Sequence, residues 1–344
     1  MRYLVFGAGA VGSYLGGSLA LSGRTVTFFD RPEVVPAIAS AGMHLVDETG
    51  DSILSAPRIT SDLEDACDGA EVIVLCVKAY DCRAAADRLA ALPNRLPVIC
   101  ILNGIGNEDT LMSAIGAENV VPASLTSAVR FLAPGAVRIE RARGVGLASG
   151  HPLSERLRAD FESAGLRPRL YDDAASMKWS KLVTNLLSNA TSAITGRSAA
   201  DVYRHPGLYN LEIEALRETC RVITRSGRRL LALPGVPVPW LGRLARLPKV
   251  LTQPLLGRVV GGGRGEKAPS LAYDVGRGRS EVAWLNGAVA QEGWRLGVST
   301  PANSLLTSIV MDLVEGRSQA ARYIGRPEEL LAQAARAGVP GARV

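Results

Sequence analysis

The chain of 344 residues is long enough for two domains, and its 47% hydrophobic and 21% charged residues are typical of a folded globular protein rather than a disordered one. A formal net charge of +6 and a pI near 9.2 would suit a nucleic acid or a small anion. The basic residues are scattered and no RNA-binding or zinc-finger spacing occurs, so the composition favours a small anionic substrate.

The first half of the chain alternates short apolar runs with helical patterns. The runs are YLVFG at 3–7, TVTFF at 25–29, EVIVLCV at 71–77 and PVICIL at 97–102. Continuous β-branched runs between helices are typical of parallel strands covered on both faces. Residues 1–172 are therefore predicted to form a Rossmann-type α/β domain with a doubly wound parallel sheet.

A glycine-rich segment, VFGAGAVGSYLGG, ends the first of these strands and opens a helix. Gly7, Gly9 and Gly12 have the GxGxxG spacing, which permits a tight turn, close approach of a pyrophosphate and close helix packing. A secretory signal also begins with a basic residue and an apolar run, but here glycines interrupt the run. We therefore expect a dinucleotide site, with Ala10 and Val11 in its loop.

Two charged residues, Asp30 and Arg31, stand at the end of the second strand. An acid at this point bonds the ribose hydroxyls of NAD, whereas an arginine accommodates the 2′-phosphate of NADP. The two residues argue against each other, so these positions leave the choice of dinucleotide open.

Two further loops follow strand ends. CVKAYD places Lys78 after the third strand, and LNGIGN places Asn103 and Gly104 after the fourth. Lysine is common on surfaces and Asn-Gly is common in turns, so ordinary loop residues would look the same. Because open α/β sheets bind ligands at the carboxyl ends of their strands, we expect Lys78 and Asn103 to line a site.

The cysteines and histidines carry no recognisable site. The five cysteines form no CxxC pair, and Cys76 and Cys100 lie in apolar runs, so reduced, buried thiols in a cytoplasmic protein are expected. The three histidines form no spaced cluster. The sequence therefore predicts neither a metal site nor a histidine-based catalytic pair.

After residue 172 the pattern changes to long helical segments, at about 174–195, 207–230 and 280–297. These predict an all-helical domain over 173–332, followed by a tail at 333–344. The segment at 234–270 is rich in Pro, Gly, Arg and Leu. A basic amphipathic segment can touch a membrane, but the helix breakers favour a loop and short helix packed on the helical domain.

The segment MKWSKLVTNLLSN at 177–189 has an unusual polar face. Helical geometry places on that face Lys178, Lys181, Thr184, Asn185, Ser188 and Asn189. Solvated faces normally carry Glu, Lys, Arg and Gln, because Asn, Ser and Thr weaken helices. Amides and hydroxyls around one ammonium are what a pocket needs to orient a small oxygenated ligand. Lys181, Asn185 and Asn189 are therefore candidate site residues.

A last cluster, KAPSLAYDVGRGRSEVAWLNG, contains Ser270, Asp274 and Glu281. Ser270 could simply cap a helix, and Glu281 could simply favour a helix N-terminus. The residues by themselves leave both interpretations open.

Taken together, the motifs resemble those of the ketopantoate reductase (2-dehydropantoate 2-reductase) family over roughly residues 1–315. The matching segments are GAGAVG, VKAY, LNGIG, WSKLVTNLLSNATSAITG, PSLAYD and SEVAWLNG, in that order. The resemblance implies that NADPH reduces the C2 carbonyl of 2-dehydropantoate to (R)-pantoate, as in pantothenate biosynthesis. The family's proline after Asn189 is Ala190 here.

The resemblance also implies roles for single residues. Lys181 would be the general acid, and Glu281 its acidic partner. Substrate-binding roles fall to Asn103, Asn185, Asn189 and Ser270. Cofactor-binding roles fall to Gly7, Gly9, Ala10, Val11, Gly12, Asp30, Arg31, Lys78 and Asn103.

The remaining expectations concern cofactor, partners and location. Arg31 matches the NADPH-using members, and Asp30 makes NADH an option. The partner would be a small anionic 2-keto acid, with no nucleic acid and no membrane, in a cytoplasmic protein for which a homodimer is an option. The alternatives are a reductase of another 2-keto acid or imine, and a module that senses NADP(H) without catalysis.

Overall fold

The first part of the chain folds around a mostly parallel sheet. The computed structural model describes residues 1–249, 251–254, 256 and 270–342. The strands are β1 (Arg2–Phe6), β2 (Thr25–Phe29), β3 (Met43–Val46), β4 (Asp51–Leu54), β5 (Arg58–Thr60), β6 (Val72–Leu75), β7 (Val98–Cys100), β8 (Val120–Leu125), β9 (Ala128–Ala133), β10 (Ala136–Arg141), β11 (Val145–Ala148) and β12 (Pro168–Tyr171). The main sheet has the order β12-β11-β8-β7-β6-β1-β2-β5, in which only β8 and β11 pair antiparallel.

Helices cover both faces of this sheet. They are α1 (Ala10–Leu21), α2 (Val35–Ala41), α3 (Leu63–Cys67), α4 (Cys82–Ala90), α5 (Asn107–Ile115) and α6 (Ser154–Ser163). Successive strand residues point to opposite faces, so Phe28 is buried in the cluster with Leu15, and Phe29 in the cluster with Leu75. Burial on both faces explains why the strands read as continuous apolar runs, and it confirms the predicted doubly wound class.

The strand order reverses direction at β1. From β1 the chain passes to β2 on one side, and later to β6 on the other side of β1. Such a switch point is where open α/β sheets bind ligands, beyond the carboxyl ends of the strands. The glycine loop begins at Gly7, directly after β1, and therefore lies at this point.

A second sheet, with the order β4-β3-β10-β9, was not predicted. Its centre is the parallel pair of β3 and β10, while β3 with β4 and β9 with β10 are antiparallel pairs. Its edge strand β9 exposes Phe131 and Leu132, and β4 exposes Ile53. These half-exposed strands lack the continuous apolar runs that identified the main sheet.

In the remainder of the chain the described residues are helical, as predicted. Its helices are α7 (Ala174–Leu186), α8 (Asn189–Thr195), α9 (Ala199–Arg204), α10 (Pro206–Arg225), α11 (Val238–Arg246), α12 (Asn286–Leu296), α13 (Pro301–Val314) and α14 (Pro327–Arg336). Short 3-10 turns lie at Ser270–Asp274 and Glu281–Trp284. Among the described residues, no helix combines the length and the apolar character that a membrane span needs.

The helix predicted over about 174–195 is in fact two helices. Ser188 interrupts it with a left-handed backbone (φ 53°), between α7 and α8. The Glu212 carboxylate on α10 accepts hydrogen bonds from the Ser188 N–H (2.6 Å) and from the Thr191 hydroxyl (2.5 Å). This buried acid thus binds one backbone donor and one side-chain donor at the start of α8. Ser188 is therefore buried, and not part of a polar helix face.

The chain divides into two units whose boundaries are not a single cut. The first unit comprises Met1–Leu102, Gly106–Lys178 and Leu233–Val236. The second comprises Asn103–Ile105, Trp179–Ala232 and Pro237–Val344. Of the segment at 234–270, helix α11 is described, whereas residues 257–269 lie outside the described residues.

Candidate active site

The glycine loop has the geometry of a phosphate-binding turn. Gly7 has a φ of 102°, which favours glycine, and its N–H donates to the Phe29 carbonyl at 2.9 Å. A Cβ on Gly12 would lie 1.8 Å from the Gly7 carbonyl oxygen, so only glycine allows α1 to approach the loop this closely. A Cβ on Gly9 would have no atom within 4 Å. The loop is therefore tight where the backbone turns and open where a pyrophosphate would approach.

Helix α1 begins at Ala10, with Gly9 as its N-cap and no acid in its first turn. The N-terminus of a helix carries unpaired N–H groups and a partial positive charge, both of which favour a phosphate. The loop from Gly7 to Gly12, including Val11, therefore suits a dinucleotide.

The end of β2 is followed by an acidic residue, Asp30, and a basic residue, Arg31. The Asp30 carboxylate accepts a hydrogen bond from the Ala8 N–H at 2.6 Å, and another from the Arg31 N–H at 2.8 Å. The Arg31 guanidinium lies 3.8 Å from Asp30 and 3.1 Å from Glu33. The carboxylate is thus fixed against the glycine loop, while the guanidinium already has two acidic neighbours.

The later strand ends carry Lys78 and Asn103. Lys78 is exposed and precedes the 3-10 turn Ala79–Asp81, which follows β6. The loop after β7 belongs to the helical unit from Asn103 to Ile105. The Ile105 N–H donates to the Trp284 carbonyl at 3.0 Å. This hydrogen bond attaches the Asn103 loop to the turn that begins with Glu281.

Helix α7 presents Lys181 and Asn185 one turn apart, on the same face. The Asn185 side-chain amide donates to the Asn103 carbonyl oxygen at 3.0 Å. Lys181 is partly buried, and its backbone carbonyl accepts from the Thr184 hydroxyl at 2.7 Å. The structure therefore brings together two of the residues predicted to bind substrate, one turn along the helix from the predicted general acid.

A second pair of predicted residues meets at the start of α8. Asn189 is buried, and its amide donates to the Ser270 hydroxyl at 3.1 Å. The Asn189 side-chain oxygen also accepts the Leu271 N–H at 3.2 Å. Asn189 thus holds the beginning of the turn Ser270–Asp274. Its position in the sequence did not reveal this role.

The other end of that turn holds Glu281. The buried Asp274 carboxylate accepts the Ser280 hydroxyl at 3.0 Å and the Glu281 N–H at 3.1 Å. Ser280 in turn caps the Glu281–Trp284 turn by accepting the Val282 N–H at 3.2 Å. Glu281 is itself 5% exposed. Two successive turns therefore connect Asn189 to Glu281 within the helical unit.

Lys178, which the helical projection placed beside Lys181 on the polar face, is a structural residue. It is buried, and its ammonium lies 2.8 Å from the Glu108 carboxylate. It also donates to the carbonyls of Leu102 at 2.6 Å and Ala123 at 3.2 Å. Burial has the largest effect on the pKa of Lys178 and acts to lower it, but the Glu108 carboxylate together with the neighbouring Cys100 and Cys82 raises the pKa overall.

This buried pair gives a stability prediction. Glu108→Gln should lower the free energy of unfolding by about 3–5 kcal/mol at pH 8, because it leaves a buried charge without its partner. A lysine with a raised native pKa contributes stability below its unfolded pKa of about 10.4, and loses it as the pH rises further. The free energies of unfolding of wild type and variant, measured with urea, should therefore differ by a constant amount from about pH 8 to about 10 and approach each other only above about pH 10.4. A difference that does not narrow above that pH would contradict the charge-pair role.

A glycine loop at the switch point of a doubly wound sheet, followed by a helical unit carrying a lysine and paired amides, defines a dinucleotide-dependent oxidoreductase. Two family models support this class. The model of Ketopantoate reductase PanE/ApbA matches residues 3–149, and that of its C-terminal part matches residues 173–314. The chain belongs to the ketopantoate reductase family, whose members are NAD(P)H-dependent reductases of 2-keto acids.

Individual relatives cover nearly the whole chain. The 2-dehydropantoate 2-reductase of Mesorhizobium japonicum is 28% identical over 92% of this chain and 99% of its own length, and that of Pyrococcus horikoshii is 26% identical over 90% and 96%. A crystal structure of a PanE/ApbA family ketopantoate reductase from Ralstonia eutropha has a TM-score of 0.78 and 30% identity, over 92% of this chain and 99% of that one. D-mandelate dehydrogenase, solved with NADH and anilino(oxo)acetate, shares the fold at a TM-score of 0.75 and 22% identity, over 92% and 99%.

Proposed function

We propose that the protein reduces the C2 carbonyl of 2-dehydropantoate to give (R)-pantoate. The observation that carries this proposal is the hydrogen bond between Asn185 and Asn103, which brings two polar side chains to the helix face of Lys181. Such a set of amides beside an ammonium suits a small ligand that carries a carboxylate and a carbonyl. The family membership supplies the reaction class.

A nicotinamide dinucleotide held by the loop from Gly7 to Gly12 would supply the hydride for the carbonyl carbon. Lys181 holds a proton on Nζ, stabilises the negative charge that develops on the carbonyl oxygen, and then transfers the proton to it. Asn185 and Asn103 orient the substrate, and Asn189 and Ser270 together bind the carboxylate of the substrate. Glu281, the acidic partner that the family resemblance assigns to Lys181, binds a polar group of the substrate. A carbonyl, a hydride and a proton thus give the secondary alcohol.

A second candidate is the reduction of a different 2-keto acid. The structural relative D-mandelate dehydrogenase favours this candidate, because the oxidised form of its substrate is an aromatic 2-keto acid. Ala190, which stands where the resemblance expects a proline, follows the substrate-binding Asn189 and would alter the pocket. A purely sensory role is disfavoured, since a sensor needs no proton donor at Lys181.

The test follows absorbance at 340 nm with the purified protein and a panel of 2-keto acids. The panel contains ketopantoate, 2-ketoisovalerate and phenylglyoxylate, each with NADPH and with NADH. We expect the largest kcat/KM with ketopantoate. A larger value with phenylglyoxylate would replace the proposed substrate by the second candidate. Binding of cofactor without oxidation by any keto acid would favour the sensory role.

A further inference from the structure

The acidic residues Asp30 and Glu33, at and just after the end of β2, determine which dinucleotide fits the site. This inference rests on the proposed dinucleotide site. Asp30 is the residue whose side chain is fixed: it is 14% exposed and accepts the Ala8 N–H of the glycine loop at 2.6 Å. In this fold, a carboxylate at this point accepts hydrogen bonds from the adenosine ribose hydroxyls. Asp30 is therefore held where an unmodified ribose would be recognised.

Arg31 has the opposite character. Its side chain is 75% exposed, and its guanidinium lies 3.1 Å from Glu33 and 3.8 Å from Asp30. To bind a 2′-phosphate, Arg31 would have to exchange its contact with Glu33 for one with the ligand. One cation between two carboxylates also leaves the group with a net negative charge.

A 2′-phosphate would add further negative charge, about −1.5 to −2 at pH 7 for a phosphate monoester. Like charges within a few ångströms repel by about 1 kcal/mol or more even in water. The Arg88 guanidinium has contacts of its own: it lies over the rings of Phe29 and Phe6, at 4.8 and 5.8 Å from their centres.

We infer that Asp30, assisted by Glu33, selects NADH over NADPH. This is the reverse of the preference for NADPH that the resemblance implies through Arg31. Asp30 discriminates by binding the free ribose hydroxyls and repelling a phosphate at the same point. Glu33 discriminates by holding the Arg31 guanidinium.

Equilibrium binding tests this inference without any keto acid. NADH and NADPH are titrated separately into the wild-type protein by calorimetry, and nicotinamide fluorescence is followed in parallel. We expect NADH to bind about tenfold more tightly than NADPH, or better, because one lost charge-assisted hydrogen bond and one new repulsion act together.

Three variants separate the contributions. Asp30→Asn keeps an acceptor oxygen for the Ala8 N–H but removes the charge, so it should tighten NADPH binding several-fold more than it changes NADH binding. Glu33→Gln should tighten NADPH binding and leave NADH binding unchanged. Asp65→Asn, at an exposed acid that pairs with Arg58 at 3.0 Å on a neighbouring element, is the matched control and should change neither affinity.

The outcomes distinguish this inference from the proposed function. Equal or tighter binding of NADPH by the wild type would overturn the NADH preference and leave the reductase intact. An unchanged affinity ratio in both Asp30→Asn and Glu33→Gln would overturn the role of these acids. Binding of neither dinucleotide would overturn the site itself. Preferential binding of NADH without keto-acid reduction would support the inference and contradict the reaction.

Discussion

Replacing Lys181 by alanine should lower kcat by about 10²–10⁴-fold, the usual contribution of a positioned general acid. The Kd of the dinucleotide should not change, because the glycine loop and Asp30 belong to the other unit. Steady-state kinetics combined with cofactor titration measures both quantities. A variant with near-normal turnover would refute the role of Lys181 as proton donor.

Two further variants sharpen that experiment. Lys181→Arg keeps a cation but places a guanidinium, which does not release its proton near neutral pH, where the ammonium was. It should retain substrate binding and lose most of the turnover. Thr184→Ala removes the hydroxyl that donates to the Lys181 carbonyl on the same helix, and it should retain most of the activity. Full activity in Lys181→Arg would assign the lysine an electrostatic role alone.

Replacing Glu281 by glutamine should lower kcat/KM roughly tenfold to a hundredfold, the effect of losing one charged hydrogen bond to the substrate. The side chain is buried at the start of its turn, and its backbone N–H is held by Asp274. Since the amide has the same shape as the carboxylate, the melting temperature should change little. Unchanged kinetics would reduce Glu281 to a residue that begins a helical turn.

Asp274→Asn provides the contrast for Glu281. Asp274 accepts hydrogen bonds from the Ser280 hydroxyl and the Glu281 N–H, so its charge stabilises the turn itself. This variant should lower the melting temperature together with kcat/KM. Separation of the two effects, with stability lost only in Asp274→Asn, would distinguish a residue that binds substrate from one that positions it.

The sequence was most informative where a local pattern decides the structure. The strands predicted at 3–7 and 25–29 occur at Arg2–Phe6 and Thr25–Phe29, because full burial on both faces requires a continuous apolar run. The glycine loop could also be predicted from the sequence, because Gly12 lies where no side chain fits.

Structure that depends on distant partners could not be predicted in this way. The second sheet pairs β3 with β10, which lie far apart in the sequence, and its half-exposed strands have no distinctive run. The break at Ser188 depends on Glu212 from a different helix, and the burial of Lys178 depends on Glu108. A helical projection of 177–189 alone shows neither partner.

One missed residue did leave a trace in the sequence. Glu218 shares a helix face with Leu211 and Val222, where an apolar side chain would be expected. It is buried and accepts the Ala302 and Asn303 N–H groups at 2.8 and 2.9 Å, so it caps α13. Burial raises the pKa of Glu218 in spite of these bonds. An acid within an apolar stripe is thus a signal for a buried cap.

The assignment of short segments to the two units limits how such a protein can be recombined. Asn103–Ile105 belongs to the helical unit although it lies within the nucleotide-binding half of the sequence. Leu233–Val236 belongs to the first unit although it lies within the helical half of the sequence. A gene fusion with one junction near Lys178 would pair a helical unit with a foreign Asn103 loop, and a foreign partner for Asn185. An exchange of cofactor-binding halves between relatives would therefore succeed only if the Asn103 loop and the helices come from the same parent protein.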